Sequence, residues 1–163
     1  MNEYPNPEAE HYARTYINDA RTDRLYKKLS MDTRLDDEDR AQIERAAKQY
    51  KLNPYLKNMM YSIRLAEGTK TFGVQGKIDP TDDTPRDMTD FANITAGSLD
   101  KSWNNRWDKK QHFITQFGDR WCPTEGKDLT DAERKLNPYW QPNVRTLMEE
   151  NDEQDDILLR SAR

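Results

Sequence analysis

Asn53-Pro54-Tyr55-Leu56-Lys57-Asn58-Met59-Met60-Tyr61-Ser62-Ile63-Arg64-Leu65-Ala66-Glu67-Gly68 is the stretch on which the fold turns. Asn53 suits a helix N-cap and Pro54 the first helical position. Gly68 suits the left-handed residue just past a helix end. Together they predict a helix over about 54–67. Within it Leu56, Met60, Ile63 and Glu67 recur at spacings of four, three and four. Eleven residues make nearly three turns, so Glu67 falls within about 20° of Leu56 around the helix axis. A carboxylate therefore continues an apolar stripe in the last turn, ahead of a glycine and a polar loop. Partial burial disfavours its charged form, and the negative end of the helix acts in the same direction. A general acid working near neutral pH needs those properties. A last-turn Glu is equally open to a solvent-facing place, or to an ion pair with Arg64 three residues earlier.

Toward the N-terminus, residues 1–10 read as an extended lead rich in Pro, Asn and Glu. From Glu8 to Ser30 the pattern is helical, with Tyr12, Tyr16 and Ala20 four apart and Leu25 and Leu29 beyond. The apolar face is narrow, so this segment reads as a charged helical arm that is peripheral or docks on another protein. Asp36 is placed to cap a helix over about 37–50, with Asp39 three residues on. Toward the C-terminus, residues 69–87 form a long polar loop with room for a small hairpin around Phe72 to Ile78. A helix follows from about Asp87 to Thr95, with room to continue after Gly97 as Leu99 to Lys109. Residues 110–118 predict a helix with Phe113, Ile114 and Phe117 inward, stopped at Trp121-Cys122-Pro123. Thr130 can cap a helical turn to Arg134, and Trp140 to Met148 closes the domain. The last stretch is acidic with a small apolar patch, either a tail or a docking peptide.

The chain has 163 residues, with 34% charged and 34% hydrophobic. Leu, Ile, Val and Phe together number only 25, about 15% of the chain. That proportion borders on a disordered composition. A net charge of only −4, with 4 Trp and 8 Tyr, points instead to a small aromatic-rich core. Two Val against twelve Leu argue against a large sheet. No apolar run reaches the roughly 18 residues of a membrane span, and the first residues lack the pattern of a secretory signal. The single cysteine, Cys122, excludes an internal disulfide framework and a cysteine zinc cluster, and it reads as buried and inert. His11 and His112 are too far apart in sequence to suggest a metal site or a Ser-His-Asp triad. Neither a metal nor a cofactor is expected. Mild acidity argues against nucleic-acid binding.

Several stretches bear a family likeness. Residues 46–56, followed by Tyr61-Ser62-Ile63-Arg64-Leu65-Ala66-Glu67-Gly68, resemble the opening of lysozyme-like domains in soluble lytic transglycosylases and phage muramidases. Arg64-x-x-Glu67-Gly68 followed by Phe72-Gly73-Val74 is similar to short phage-encoded lysozyme-like proteins. So are Phe113-Ile114-Thr115-Gln116-Phe117-Gly118-Asp119-Arg120-Trp121-Cys122-Pro123 and Leu136-Asn137-Pro138-Tyr139-Trp140-Gln141-Pro142-Asn143-Val144. The likeness covers roughly residues 41–148. Two departures stand out. Glycine follows Glu67 directly, and the loop from Gly76 to Arg86 lacks the Gly-Leu-x-Gln motif of many transglycosylases.

The resemblance implies a mainly α, lysozyme-like helical domain over 41–148. A charged helical arm, 1–40, would precede it and an acidic tail, 149–163, would follow. It implies a peptidoglycan glycosidase or lytic transglycosylase with Glu67 as general acid. A hydrolase commonly adds a second carboxylate, for which Asp79, Asp82 and Asp83 are candidates by position. Tyr61, Phe72, Trp103 and Trp121 are candidates to stack on sugar rings in a cleft, while their helical context also suits core residues. The implied partners are glycan strands of peptidoglycan and, through the two terminal segments, other virion proteins. The implied place of action is the virion, the periplasm or the cell wall. A second reading from a different class stays open: a non-catalytic virion assembly protein that keeps the fold and docks through its arms.

Overall fold

The computed structural model describes Tyr16 and residues 19–74 and 86–150. Those residues are mainly helical and contain no strand. Seven α-helices run in the order α1 (Asp19–Ser30), α2 (Asp37–Gln49), α3 (Pro54–Glu67), α4 (Met88–Lys101), α5 (Phe113–Trp121), α6 (Asp131–Leu136) and α7 (Trp140–Leu147). A π-helical turn, Ser102–Arg106, continues α4, and a 3-10 turn, Asn137–Tyr139, joins α6 to α7.

The local signals around α3 hold. Asn53 accepts a hydrogen bond from the Leu56 N–H, Pro54 opens the helix, and Gly68 ends it in the left-handed region at φ 72°. Asp36 and Asp39 form a reciprocal capping box on α2, as do Asp87 and Asp90 on α4, and Thr130 and Glu133 on α6. α3 is the central helix and packs against α1, α2, α4 and α7. Ten of its fourteen residues are buried, from Tyr55 to Leu65. A helix buried on every side sits inside its domain rather than on it.

That central position changes the reading of the N-terminal arm. Tyr16, Leu25, Leu29 and Leu35 belong to the same apolar core as Ile43, Met59 and Ile63. Ala20, expected on the inner face, is exposed. α1 is thus part of the domain over its described length: its narrow stripe is enough because α3 offers an apolar surface to receive it. The buried Asn58 side chain donates to the Thr22 carbonyl across that contact, at 3.2 Å. The start of the acidic tail is also held. Arg21 donates to the Glu149 carbonyl at 2.7 Å, and Lys28 pairs with the Glu149 carboxylate at 2.9 Å. The buried Glu150 accepts from the Tyr55 hydroxyl and lies 2.9 Å from His112 Nε2. Residues 1–15 and 151–163 lie outside the described residues.

Two expected boundaries move. α4 runs on through Gly97, as the continued reading allowed, but ends at Lys101, with the π-helical turn carrying on to Arg106; at Gly97 the Tyr50 ring comes so close that an added Cβ would stand 3.3 Å from it. The later helix begins at Phe113, where the His112 side chain caps it by accepting from the Ile114 N–H at 3.0 Å. Of the expected hairpin, residues 72–74 form tight turns, with the Val74 N–H donating to the Thr71 carbonyl at 2.9 Å. Residues 75–78 lie outside the described residues. Among the described residues no helix is long and apolar enough to cross a membrane.

Candidate active site

A cleft of about 630 Å³ opens at the C-terminal end of α3. Ala66 and Glu67 line it from α3, Gly73 and Val74 from the following turn, and Ile94 from α4. Trp121, Cys122 and Pro123 line it from the end of α5. Thr130, Ala132, Glu133 and Leu136 come from α6 and its cap, and Asn137, Tyr139, Trp140 and Asn143 from the closing segment. Leu136 and Tyr139 are among the most exposed large apolar side chains of the described protein.

Glu67 is half-buried against this cleft, and among the described residues it has no ion-pair partner. The two basic residues nearest it in sequence are engaged elsewhere. Arg64 turns to α2 and grips the buried Asp39 through two hydrogen bonds, at 2.8 and 3.3 Å. Lys70 lies within 3.2 Å of Asp36, Glu38 and Asp39. The acidic first turn of α2 therefore draws both cations away from the carboxylate. Burial pushes the Glu67 pKa above its ordinary value. The Trp140 indole N–H, close to the carboxylate, opposes that push, although Nε1 is buried without a well-aligned acceptor.

Gly73 explains why the turn after α3 is built as it is. Phe72 is fully buried at φ 56° and anchors the turn. Gly73, at φ 77°, then lays its backbone against Glu67: an added Cβ would stand 2.5 Å from the Glu67 Cδ. Gly73→Ala should therefore displace the carboxylate from its place against the turn. Gly68→Ala is the control. It carries a similar backbone penalty of about 1–2 kcal/mol, at φ 72° with nothing within 4 Å of the added Cβ. The pair should melt alike, but only Gly73→Ala should alter the titration of Glu67; an unmoved titration in both would discount the contact.

Cys122 is half-buried, and its thiol is pushed up to about 11 by burial and by the negative charges of Glu67 and Glu133. It should react with a maleimide at pH 8 at least about tenfold more slowly than free cysteine. Glu67→Gln should speed that reaction. A thiol as reactive as free cysteine, or one indifferent to residue 67, would contradict this placement.

Of the aromatic candidates, the structure brings Trp121 to the cleft. Tyr61 lies in the core with its hydroxyl on Glu44 at 3.1 Å, and Phe72 lies beneath the turn. Neither presents a ring face to a sugar. Trp103 packs in an aromatic cluster with Tyr16, Tyr55, Trp107 and Phe113, at ring distances from 4.5 Å for Trp107 to 5.8 Å for Tyr55. In a chain short of aliphatics these rings build the core. Asp79, Asp82 and Asp83 lie outside the described residues. Glu133 is the other carboxylate that the described residues bring to the cleft. Its pKa is lowered by hydrogen bonds from the Thr130 backbone N–H and side chain. The sequence marked this place only as a helix cap; the Thr130-x-x-Glu133 pattern was the available signal.

Among the described residues no group of three or more His, Cys, Asp or Glu could hold a metal ion. No family model matches this chain, and neither a curated protein nor a solved structure matches it.

Proposed function

We propose that this protein cleaves the β-1,4 glycan strand of peptidoglycan, as a phage lysozyme-like muramidase or lytic transglycosylase, with Glu67 as general acid. The observation that carries the reading is a convergence. The sequence stretches that resemble the phage proteins are far apart in the chain, yet Glu67, Gly73, Trp121, Trp140 and Asn143 all line one cleft. A half-buried carboxylate with a raised pKa, and among the described residues no cation beside it, supports proton donation there. Glu67 gives its proton to the oxygen bridging two sugars, and the bond from that oxygen to the anomeric carbon breaks. Water then completes a hydrolysis, or a hydroxyl of the same sugar closes an anhydro ring. Glu133 is available as the anionic carboxylate in the hydrolytic case. The exposed Tyr139 and half-buried Trp121 supply ring faces for sugar stacking.

The test is digestion of purified peptidoglycan by the full chain, with mass spectrometry of the fragments. New reducing ends identify a hydrolase, and anhydro ends identify a transglycosylase. Absence of cleavage by the folded protein would overturn the proposal and leave the reading as a virion assembly protein.

A further inference from the structure

We infer that Trp140 is the positioning residue of Glu67, its indole N–H being the donor that receives the carboxylate once the proton has left. Trp140 is buried, and its ring is fixed. It packs on Phe117 at 6.0 Å, and α5 approaches so closely at Gly118 that an added Cβ would stand 2.8 Å from the ring. Its Nε1 is a buried donor without an aligned partner. Such a group is costly, and in a native fold it calls for an explanation. The indole lines the same cleft as Glu67. Arg64 and Lys70 are committed to α2, so among the described residues no cation is at hand to take up the charge that forms on Glu67. A neutral, rigid donor suits this work: it leaves the acid protonated before reaction and steadies the anion afterward. Hydrogen bonds of this kind are often poorly aligned in the resting protein and tighten as charge develops. The opposing influences on Glu67, burial upward and the indole downward, agree with that arrangement.

The catalytic consequence rests on the function proposed above; the proton chemistry does not, and it is read separately. In full-length protein labelled with ¹⁵N-tryptophan, the indole N–H signal lost in Trp140→Phe should move with pH. That movement should vanish in Glu67→Gln. With ¹³C-labelled Glu carboxyls, Glu67 should titrate in Trp140→Phe about one to two pH units higher than in the parent, the scale of one hydrogen bond to a charged group. In cleavage assays the alkaline limb of the rate profile should rise by the same interval, with a lower plateau. A pH-independent Trp140 signal in the parent, or an unmoved Glu67 titration in Trp140→Phe, overturns the inference. A raised KM with an unmoved titration also overturns it and gives the indole to the sugar instead. Should Trp140→Phe fail to fold, the indole signal, identified by its distance-dependent coupling to the Phe117 ring, is compared between parent and Glu67→Gln alone. A parent that titrates as expected but cleaves nothing defeats the proposed function and leaves this inference standing.

Discussion

Glu67→Gln is expected to lower glycan cleavage by a factor of about 10²–10⁴ while leaving the protein at least as stable as the parent at pH 7. The first effect follows, on the proposed function, from removing the proton that Glu67 would give to the leaving oxygen. The second follows from the direction of the pKa shift. Burial raises the folded-state value of Glu67 above its ordinary 4.5. Its contribution to stability is therefore fully present below the unfolded value and is lost as pH rises through the folded one. At neutral pH, above the unfolded value, the fold bears the cost of a carboxyl that ionises more readily in the unfolded chain, and the neutral amide relieves it. Melting curves at pH 4 and pH 7, beside the cleavage assay, check both halves. The gain from Gln should be seen at pH 7 and shrink toward pH 4. A loss of stability at pH 7 would mark Glu67 as a structural group.

The largest effect on stability is expected at Asp39. The Arg64 guanidinium and the Asp39 carboxylate are both almost wholly buried, 9% and 1% exposed at the side chain. Asp39→Ala leaves a buried cation without its partner, and such a loss costs about 3–5 kcal/mol. The capping box contributes too, since the Asp39 carboxylate also accepts from the Asp36 N–H at 2.9 Å. Replacing both members, Asp39→Leu with Arg64→Met, should recover most of the loss, because well-packed apolar groups commonly serve as well as a buried pair. Urea midpoints with an unchanged slope provide the measurement. A cost under about 1 kcal/mol for Asp39→Ala would mean that Arg64 finds water or another acceptor. Such a result has a functional side. A freed Arg64 lies three residues before Glu67, and pairing with it would favour the ionised form and weaken the acid.

What could be read from the sequence was local. Asp36, Asn53, Pro54, Gly68 and Thr130 announce helix ends through hydrogen bonds that span three or four residues, and the helices over 37–49 and 54–67 follow from them. Glu67 was legible for the same reason, as one member of a stripe on one helix. The role of α1 was not. A narrow stripe of Leu25 and Leu29 reads alike whether its partner is another protein or another part of the chain, and only the packing of α3 decides. Tyr61, Phe72 and Trp103 show a related limit. A ring that fills a core and a ring that stacks on a sugar have the same residue type and spacing, and burial alone separates them. Trp140, Asn143 and Glu133 reach the cleft from segments more than sixty residues beyond Glu67, and nothing in their immediate neighbourhood shows it.

The close approach of Gly73 to the Glu67 carboxylate also bears on how such chains diverge. The position tolerates no side chain while the acid stays in place, and its left-handed backbone adds a penalty of about 1–2 kcal/mol against any β-carbon. On the proposed function, a lineage with no use for the acid could bear that cost at position 73 and still keep α3. On that same function, a relative that keeps a glutamate at 67 but carries a β-carbon at 73 is expected to have lost the acid's placement.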